Sequence, residues 1–136
     1  MSNPNIKSLF ISHTWIQNQQ SWKKVVGWLE NDPDLAWQNC SCPDPAGLPD
    51  KSPKTLANEI TRQIASAQAV IVLSEMYAAN SDWVDFEIRE AKRMNKFIIG
   101  VAPLERGRIP KKIQDAADLM AGGYSSSLIS IVKYMV

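Results

Sequence analysis

Residues 69–74 read Ala-Val-Ile-Val-Leu-Ser, an unbroken apolar run rich in β-branched side chains and bounded by polar residues. Such a run without polar alternation is typical of a strand in the middle of a parallel sheet, where both faces are covered. Residues 96–101 (Lys-Phe-Ile-Ile-Gly-Val) and residues 7–12 (Lys-Ser-Leu-Phe-Ile-Ser) have the same character. The sequence therefore predicts three buried parallel strands.

Two weaker segments, residues 35–41 and 119–121, lie where a second and a last strand are needed. Between the strands, apolar residues recur at helical spacing, which predicts helices. These helices begin near Ser21, Pro53, Ser81, Pro110 and Tyr124. Strand and helix alternate five times, so we predict an α/β fold: a flavodoxin-like three-layer sandwich whose central five-stranded parallel sheet carries helices on both faces.

Length and composition predict one globular domain over residues 1–136, with residues 1–6 as a flexible tail. The chain has 136 residues, of which 45% are hydrophobic and 21% charged. The net charge of +1, without a run of like charges, gives no basis for binding nucleic acid or an anionic membrane. Because no segment is apolar enough for a signal peptide or a membrane span, we expect a cytoplasmic protein.

Metal binding is not expected. The two cysteines, Cys40 and Cys42, are one residue apart, and His13 is the single histidine. This spacing is too close for a relaxed disulfide, and three such ligands are too few for a zinc site. Both cysteines are expected to be reduced.

The predicted functional residues gather at one edge of the sheet. Ligands of open α/β sheets bind beyond the carboxyl ends of the strands. Three segments of this chain lie there: residues 12–15 (Ser-His-Thr-Trp), the proline-rich loop of residues 42–51, and the stretch that leads from Ser74 to Glu87.

The last of these segments contains a tryptophan and an acid one helical turn apart. Ser81 is a suitable N-cap, which places Trp83 and Glu87 at i and i+4 on one face of the following helix. An indole face beside a carboxylate suits a flat, positively charged group. The alternative is that Trp83 packs at the edge of the core and Glu87 is a solvated surface acid.

Several functions of this architecture are excluded by missing motifs. The sequence contains neither a Gly-x-x-x-x-Gly-Lys-Ser/Thr phosphate loop nor a Gly-x-Gly-x-x-Gly dinucleotide fingerprint. It lacks the acidic residues that a receiver domain carries after its first and third strands, and the Gly-x-Ser-x-Gly elbow of a hydrolase. A single histidine leaves only His13 for a catalytic triad.

The residues that remain resemble the TIR domain. The likeness consists of Phe-Ile-Ser-His at residues 10–13, the proline-rich loop after the second strand, and the Ser-x-Trp-x-x-x-Glu pattern from Ser81 to Glu87. It extends from about Lys7 to the final helix, and it is greatest to the compact TIR-like proteins of bacterial Thoeris anti-phage systems.

The resemblance implies an NAD-consuming enzyme, an NAD+ nucleosidase or ADP-ribosyl cyclase, with NAD as substrate and no cofactor. Glu87 would be the catalytic residue and Trp83 would wall the nicotinamide or ribose pocket. Ser12 and His13 would contact the nucleotide. Further candidates for the lining of the pocket are Phe10, Trp15, Trp37 and Asn39.

The resemblance also implies a role in bacterial anti-phage immunity. The product would be a cyclic or conjugated ADP-ribose messenger that activates a separate effector. Self-association, a partner or a phage-derived trigger would activate the enzyme, and residues 42–51 match the loop that completes a neighbour's site in many TIR enzymes. Two alternatives remain: a non-catalytic TIR-like interaction module, and a nucleoside-processing transferase that also uses a lone carboxylate.

Overall fold

A computed structural model describes residues 6–12, 20–41, 52–79, 81–105 and 107–136. Strands and helices alternate along the chain, as predicted. In chain order they are β1 (Lys7–Ile11), α1 (Gln20–Glu30), β2 (Trp37–Asn39), α2 (Pro53–Ser66), β3 (Ala69–Leu73), α3 (Ser74–Ala79), α4 (Ser81–Arg93), β4 (Phe97–Val101), α5 (Lys111–Ala116), β5 (Leu119–Ala121) and α6 (Ser125–Met135).

The strands form one five-stranded sheet in the order β2-β1-β3-β4-β5, and every neighbouring pair is parallel. This confirms the flavodoxin-like prediction. The chain moves from β1 to one edge and then returns past β1 to β3, β4 and β5. Because parallel crossovers are right-handed, this reversal puts α1 on one face and α2, α4 and α5 on the other.

Contacts between helices agree with two helical layers. α1 packs against α6, whereas α2 and α3 pack against α4. Lys133 of α6 pairs with Asp32 after α1 at 3.1 Å, and Lys112 of α5 pairs with Asp85 of α4 at 3.3 Å. A hydrogen bond from the backbone N–H of Asp34, together with the hydrogen bond from the Lys133 side chain, holds the pKa of Asp32 below its ordinary value.

The core lies on both faces of β3. All five residues of β3 are buried, as expected for a continuous apolar run in the centre of a parallel sheet. The buried side chains of β1 and β4, together with Val84, Leu128 and Val132 from the helices, complete it. Within the described segments no helix is long and apolar enough to cross a membrane.

Three details differ from the sequence predictions. The second strand covers three residues instead of seven, and a short helix, α3, directly follows β3. Ser81, predicted to cap α4 from outside, is the first residue of the helix. The expected tail falls mostly on residues 1–5, which lie outside the described ranges.

The two ends of the described chain meet at the amino edge of the sheet. The Lys7 side chain at the start of β1 donates a hydrogen bond of 2.5 Å to the backbone oxygen of Val136. This contact joins the first strand to the residue that follows α6.

Gly123 marks a close approach between the start of α6 and the loop after β4. A Cβ atom at this position would lie 2.2 Å from the backbone oxygen of Pro103. Because a backbone atom cannot move aside as a flexible side chain can, one of the two segments would have to shift. The glycine is therefore required for packing.

We predict that Gly123→Ala lowers the free energy of unfolding by about 1–3 kcal/mol, the usual cost of overpacking. Gly27→Ala is the matched control, because a Cβ at Gly27 in α1 meets nothing within 4 Å. That change should stabilise the protein by up to about 1 kcal/mol, since alanine favours helix interiors. Urea unfolding of both variants measures the effects, and equal stability of the two would contradict the prediction.

Candidate functional site

Ser12 links the carboxyl ends of β1 and β3 through two hydrogen bonds. It is fully buried directly after β1. Its N–H donates to the Ile71 oxygen at 2.8 Å, and its Oγ accepts a 2.9 Å hydrogen bond from the Leu73 N–H. The side chain therefore satisfies a backbone donor at the end of β3. Its expected contact with a nucleotide stays a prediction.

Glu87 is enclosed within the protein. It lies midway along α4 and is 0% exposed, and both carboxylate oxygens are covered. The alternative reading of Glu87 as a solvated surface acid is therefore wrong. The residue falls on the same stripe of α4 as the buried Val84, Ile88 and Ala91.

Trp83 is half-buried one turn before Glu87 and packs against the hydrophobic core. Its ring meets Phe86 edge to face, with 5.9 Å between centroids and an angle of 89° between the ring planes. The predicted arrangement, a tryptophan one helical turn before a carboxylate, is thus present on α4. Its use as a substrate pocket stays a prediction.

Glu90, in the next turn of α4, is bound by neighbouring polar side chains. Glu90 accepts from Thr61 of α2 at 2.8 Å and forms a salt bridge of 2.8 Å with Arg93. The hydrogen bond from Arg93 holds the pKa of Glu90 below its ordinary value. Glu87 and Glu90 are therefore in opposite environments although they are three residues apart.

Phe10 and Asn39 have structural partners. Phe10 is fully buried in β1, in register with Val70 of β3. Asn39 is exposed at the end of β2, and its Oδ1 accepts hydrogen bonds from the Ser41 N–H at 2.9 Å and from the Ser41 Oγ at 2.5 Å. This local bonding turns the chain and explains why β2 ends at Asn39. Neither placement tests a role in lining a substrate pocket.

Most of the remaining predicted residues lie outside the part of the chain that the structure describes. His13, Trp15 and the loop of residues 42–51 lie outside the described ranges. Trp37 is half-buried in β2 and packs against the core. Cys40 is a free thiol whose pKa is raised by burial. In the described parts of the chain, no group of three or more His, Cys, Asp or Glu residues is placed to hold a metal ion.

A cleft of about 530 Å³ opens at the carboxyl edge of the sheet. It lies between the start of α1, the junction of β3 with α3, and the loop from β4 to α5. Its described lining consists of Gln20, Ser21, Lys24, Ser74, Glu75, Ala78, Pro103, Leu104, Glu105, Gly107, Arg108 and Pro110. Ser74, Glu75 and Ala78 belong to the stretch that was predicted to lie at this edge, but none of the individually named site residues is in the described lining.

Glu75 is one residue of the cleft lining that the sequence analysis did not name. Its Oε2 accepts a 2.6 Å hydrogen bond from the Leu104 N–H, which ties α3 to the loop after β4. Its Oε1 is covered and has no hydrogen-bond partner within the described segments. The available signal was position, because Glu75 is the second residue after the central strand and ligands bind beyond strand ends.

The class of protein follows from the fold and this edge. A doubly wound parallel sheet with helices on both faces and a cleft beyond its carboxyl ends defines an open α/β domain. A family model for the TIR-like domain of the Thoeris protein ThsB matches residues 10–108. The chain therefore belongs to the ThsB TIR-like domain family, which confirms the resemblance.

Among solved structures, the chain is similar to the Clostridium botulinum CMP N-glycosidase BcmB. The two share 15% sequence identity with a TM-score of 0.57, and the alignment covers 91% of this chain and 96% of the glycosidase. At this identity the likeness shows the fold alone. A comparison with curated proteins finds no match.

We predict that Ser12→Ala lowers the free energy of unfolding by about 1–3 kcal/mol, because the buried Leu73 N–H loses its acceptor. Ser66→Ala is the control, since Ser66 is exposed near the end of α2 and its Oγ donates to the Arg62 oxygen within the same helix. For this variant the free energy of unfolding should stay within about 0.5 kcal/mol of the parent value. Chemical denaturation compares them, and an unchanged stability for Ser12→Ala would contradict a structural role for its hydroxyl.

Proposed function

We propose that this protein is a TIR-type enzyme that cleaves the bond between nicotinamide and ribose in NAD and transfers the ADP-ribosyl group to an acceptor. The observation that carries the proposal is the complete burial of Glu87 on α4, one turn after Trp83. Membership of the ThsB TIR-like family supports the same role, because the Ser-x-Trp-x-x-x-Glu stretch that ends at Glu87 resembles the TIR pattern whose glutamate is catalytic.

The chemistry suits a site with one essential carboxylate. As the bond from C1′ to the nicotinamide nitrogen breaks, its electron pair passes to the nitrogen, and the ribose gains oxocarbenium character. Nicotinamide is cationic in NAD and neutral when it leaves, so no general acid is needed. An ionised Glu87 stabilises the positive ribose, and removal of water strengthens this attraction.

The acceptor completes the reaction by forming a bond to C1′ and losing a proton. An adenine nitrogen or a ribose hydroxyl of the same molecule gives a cyclic product, whereas a separate nucleophile gives a conjugated one. We propose that this product is the messenger that activates a separate effector in anti-phage defence. NAD is the substrate in this scheme, and no further cofactor takes part.

Access to Glu87 suggests how the activity is controlled. Because the carboxylate has no exposed surface, NAD reaches it only after neighbouring groups move. Self-association or a phage-derived trigger would supply the free energy for this movement by binding the open form better. The proposal therefore includes low turnover by the isolated chain and activation upon assembly.

The test is chromatography with mass detection on concentrated protein incubated with NAD, with and without phage lysate. We expect nicotinamide and an ADP-ribose species, and a loss of activity of about 100-fold or more in Glu87→Gln, the usual effect of removing one transition-state electrostatic group. Glu90→Gln is the matched control on the same helix, because Glu90 faces Thr61 and Arg93. It should keep its activity.

Two outcomes would overturn the proposal. Equal NAD loss in the parent and Glu87→Gln would remove the role given to Glu87. No turnover in any version, even when molecular crowding forces assembly, would favour the non-catalytic interaction module. Circular dichroism of each variant separates loss of chemistry from loss of folding.

A second candidate is a nucleotide N-glycosidase. The chain has the fold of a protein described as a CMP N-glycosidase, and such a reaction breaks a bond of the same type, between a ribose carbon and a base nitrogen. Because the base of CMP is neutral, this reaction would need a proton donor for the leaving group, unlike NAD cleavage.

Parallel incubation with CMP and NAD separates the two candidates. We expect release of nicotinamide from NAD and no release of cytosine from CMP. Cytosine release that is lost in Glu87→Gln, with NAD left intact, would favour the second candidate.

A further inference from the structure

The cleft at the carboxyl edge lies at the switch point of the sheet. The connection after β1 leads to β2 at one edge, whereas the connection after β3 leads to β4 in the opposite direction. Loops at such a point separate and leave a crevice that ligands of open α/β sheets occupy. The volume of about 530 Å³ is within the range of small-molecule sites.

The cleft is distinct from the surroundings of Glu87. Glu87 lies on α4, in the helical layer opposite to α1, and it does not belong to the described lining of the cleft. Ligand binding in the cleft is therefore a separate question from the reaction proposed at Glu87.

Charged side chains of both signs line the cleft, and among the described residues they form no salt bridge with one another. Lys24 comes from α1, Glu75 from α3, and Glu105 and Arg108 from the loop after β4. Within the parts of the chain that the structure describes, every salt bridge lies elsewhere. Lys24 and Arg108 are exposed, so both ammonium and guanidinium groups are available to an anion in the cleft.

Glu75 provides the opposite kind of contact. One of its oxygens already accepts from Leu104, and its Oε1 has no partner in the described segments. An acceptor left unsatisfied in a covered position costs free energy, which a hydrogen-bond donor on a ligand would recover. Because Oε1 is covered, the wall beside it must shift slightly before a ligand hydroxyl reaches it.

Together these groups restrict the ligand. A simple anion would be repelled by Glu75 and Glu105, and a simple cation would be repelled by Lys24 and Arg108. The ligand must carry an anionic group and hydroxyl donors. Apolar atoms of Pro103, Leu104 and Pro110 add a wall against which a flat base can pack.

We propose that this cleft binds a ribonucleoside 5′-phosphate, with the phosphate held by Lys24 and Arg108 and a ribose hydroxyl donating to Glu75. The inference does not depend on the reaction proposed at Glu87. AMP is the appropriate probe, because it contains the phosphate, the diol and a base but has no nicotinamide to lose.

Isothermal titration of the full chain with AMP, carried out in the Glu87→Gln background to prevent any turnover, tests the assignment. We expect saturable binding to one site. Lys24→Ala and Arg108→Ala should each weaken it about 10-fold, the usual effect of losing a hydrogen bond to a charged group. Lys92→Ala is the matched control, because Lys92 is an exposed cation on α4 outside the cleft, and it should bind AMP as the parent does.

Ligand analogues test the diol without changing the protein. We expect 2′,3′-dideoxy-AMP, which lacks the diol, and ribose 5-phosphate, which lacks the base, each to bind about 10-fold more weakly than AMP. Inorganic phosphate lacks both the diol and the base, so it should bind more weakly still. Glu75→Gln should reduce the preference for AMP over the dideoxy analogue.

Each of the following results would overturn the proposal: no saturable binding at millimolar AMP, unchanged affinity in both Lys24→Ala and Arg108→Ala, or equal affinity for AMP and its dideoxy analogue. Inorganic phosphate that binds as tightly as AMP would show a plain anion site instead. A thermal melt of every variant confirms that it is folded before titration.

Discussion

The parallel pairing of β1 with β3 is the constraint on which the rest of the structure depends. It brings residues that are about sixty positions apart into register, and the hydrogen bond from the Leu73 N–H to Ser12 Oγ closes the pair at its carboxyl end. Because the chain turns in opposite directions after these two strands, the same pairing creates the switch point. The pairing of β1 with β3 therefore determines the position of both the core and the cleft.

Glu87 and Glu75 show how environment distinguishes two residues of the same type. Glu87 is enclosed among core residues, where the exclusion of water would strengthen the attraction for a positive ribose that the proposed reaction requires. Glu75 lies at a cleft and holds the loop after β4 through Leu104, with acceptor capacity left for a ligand. The proposed reaction and the proposed nucleotide site use these two environments separately.

Local sequence patterns predicted the strands, because an unbroken apolar run acts within a few residues. The start of α4 was predicted to within one residue, since Ser81 is the first residue of the helix and not the cap before it. Such patterns failed where the deciding contact is local but polar, as at Asn39, or where a helix is too short to show a period, as in α3. The burial of Glu87 was readable in principle, since it lies on the stripe of Val84, Ile88 and Ala91. The cleft could not be predicted from local patterns, because Lys24, Glu75 and Arg108 come from three separate segments.

The contact between Lys7 and Val136 has a practical consequence for engineering the protein. It fixes the last residue beside the beginning of β1, at the amino edge of the sheet. Ser12 and the cleft lie at the other edge, about 16 Å away along a five-residue strand. A fluorescent label or surface tether placed close to Val136 would therefore lie on the side of the molecule that faces away from Ser12 and the cleft.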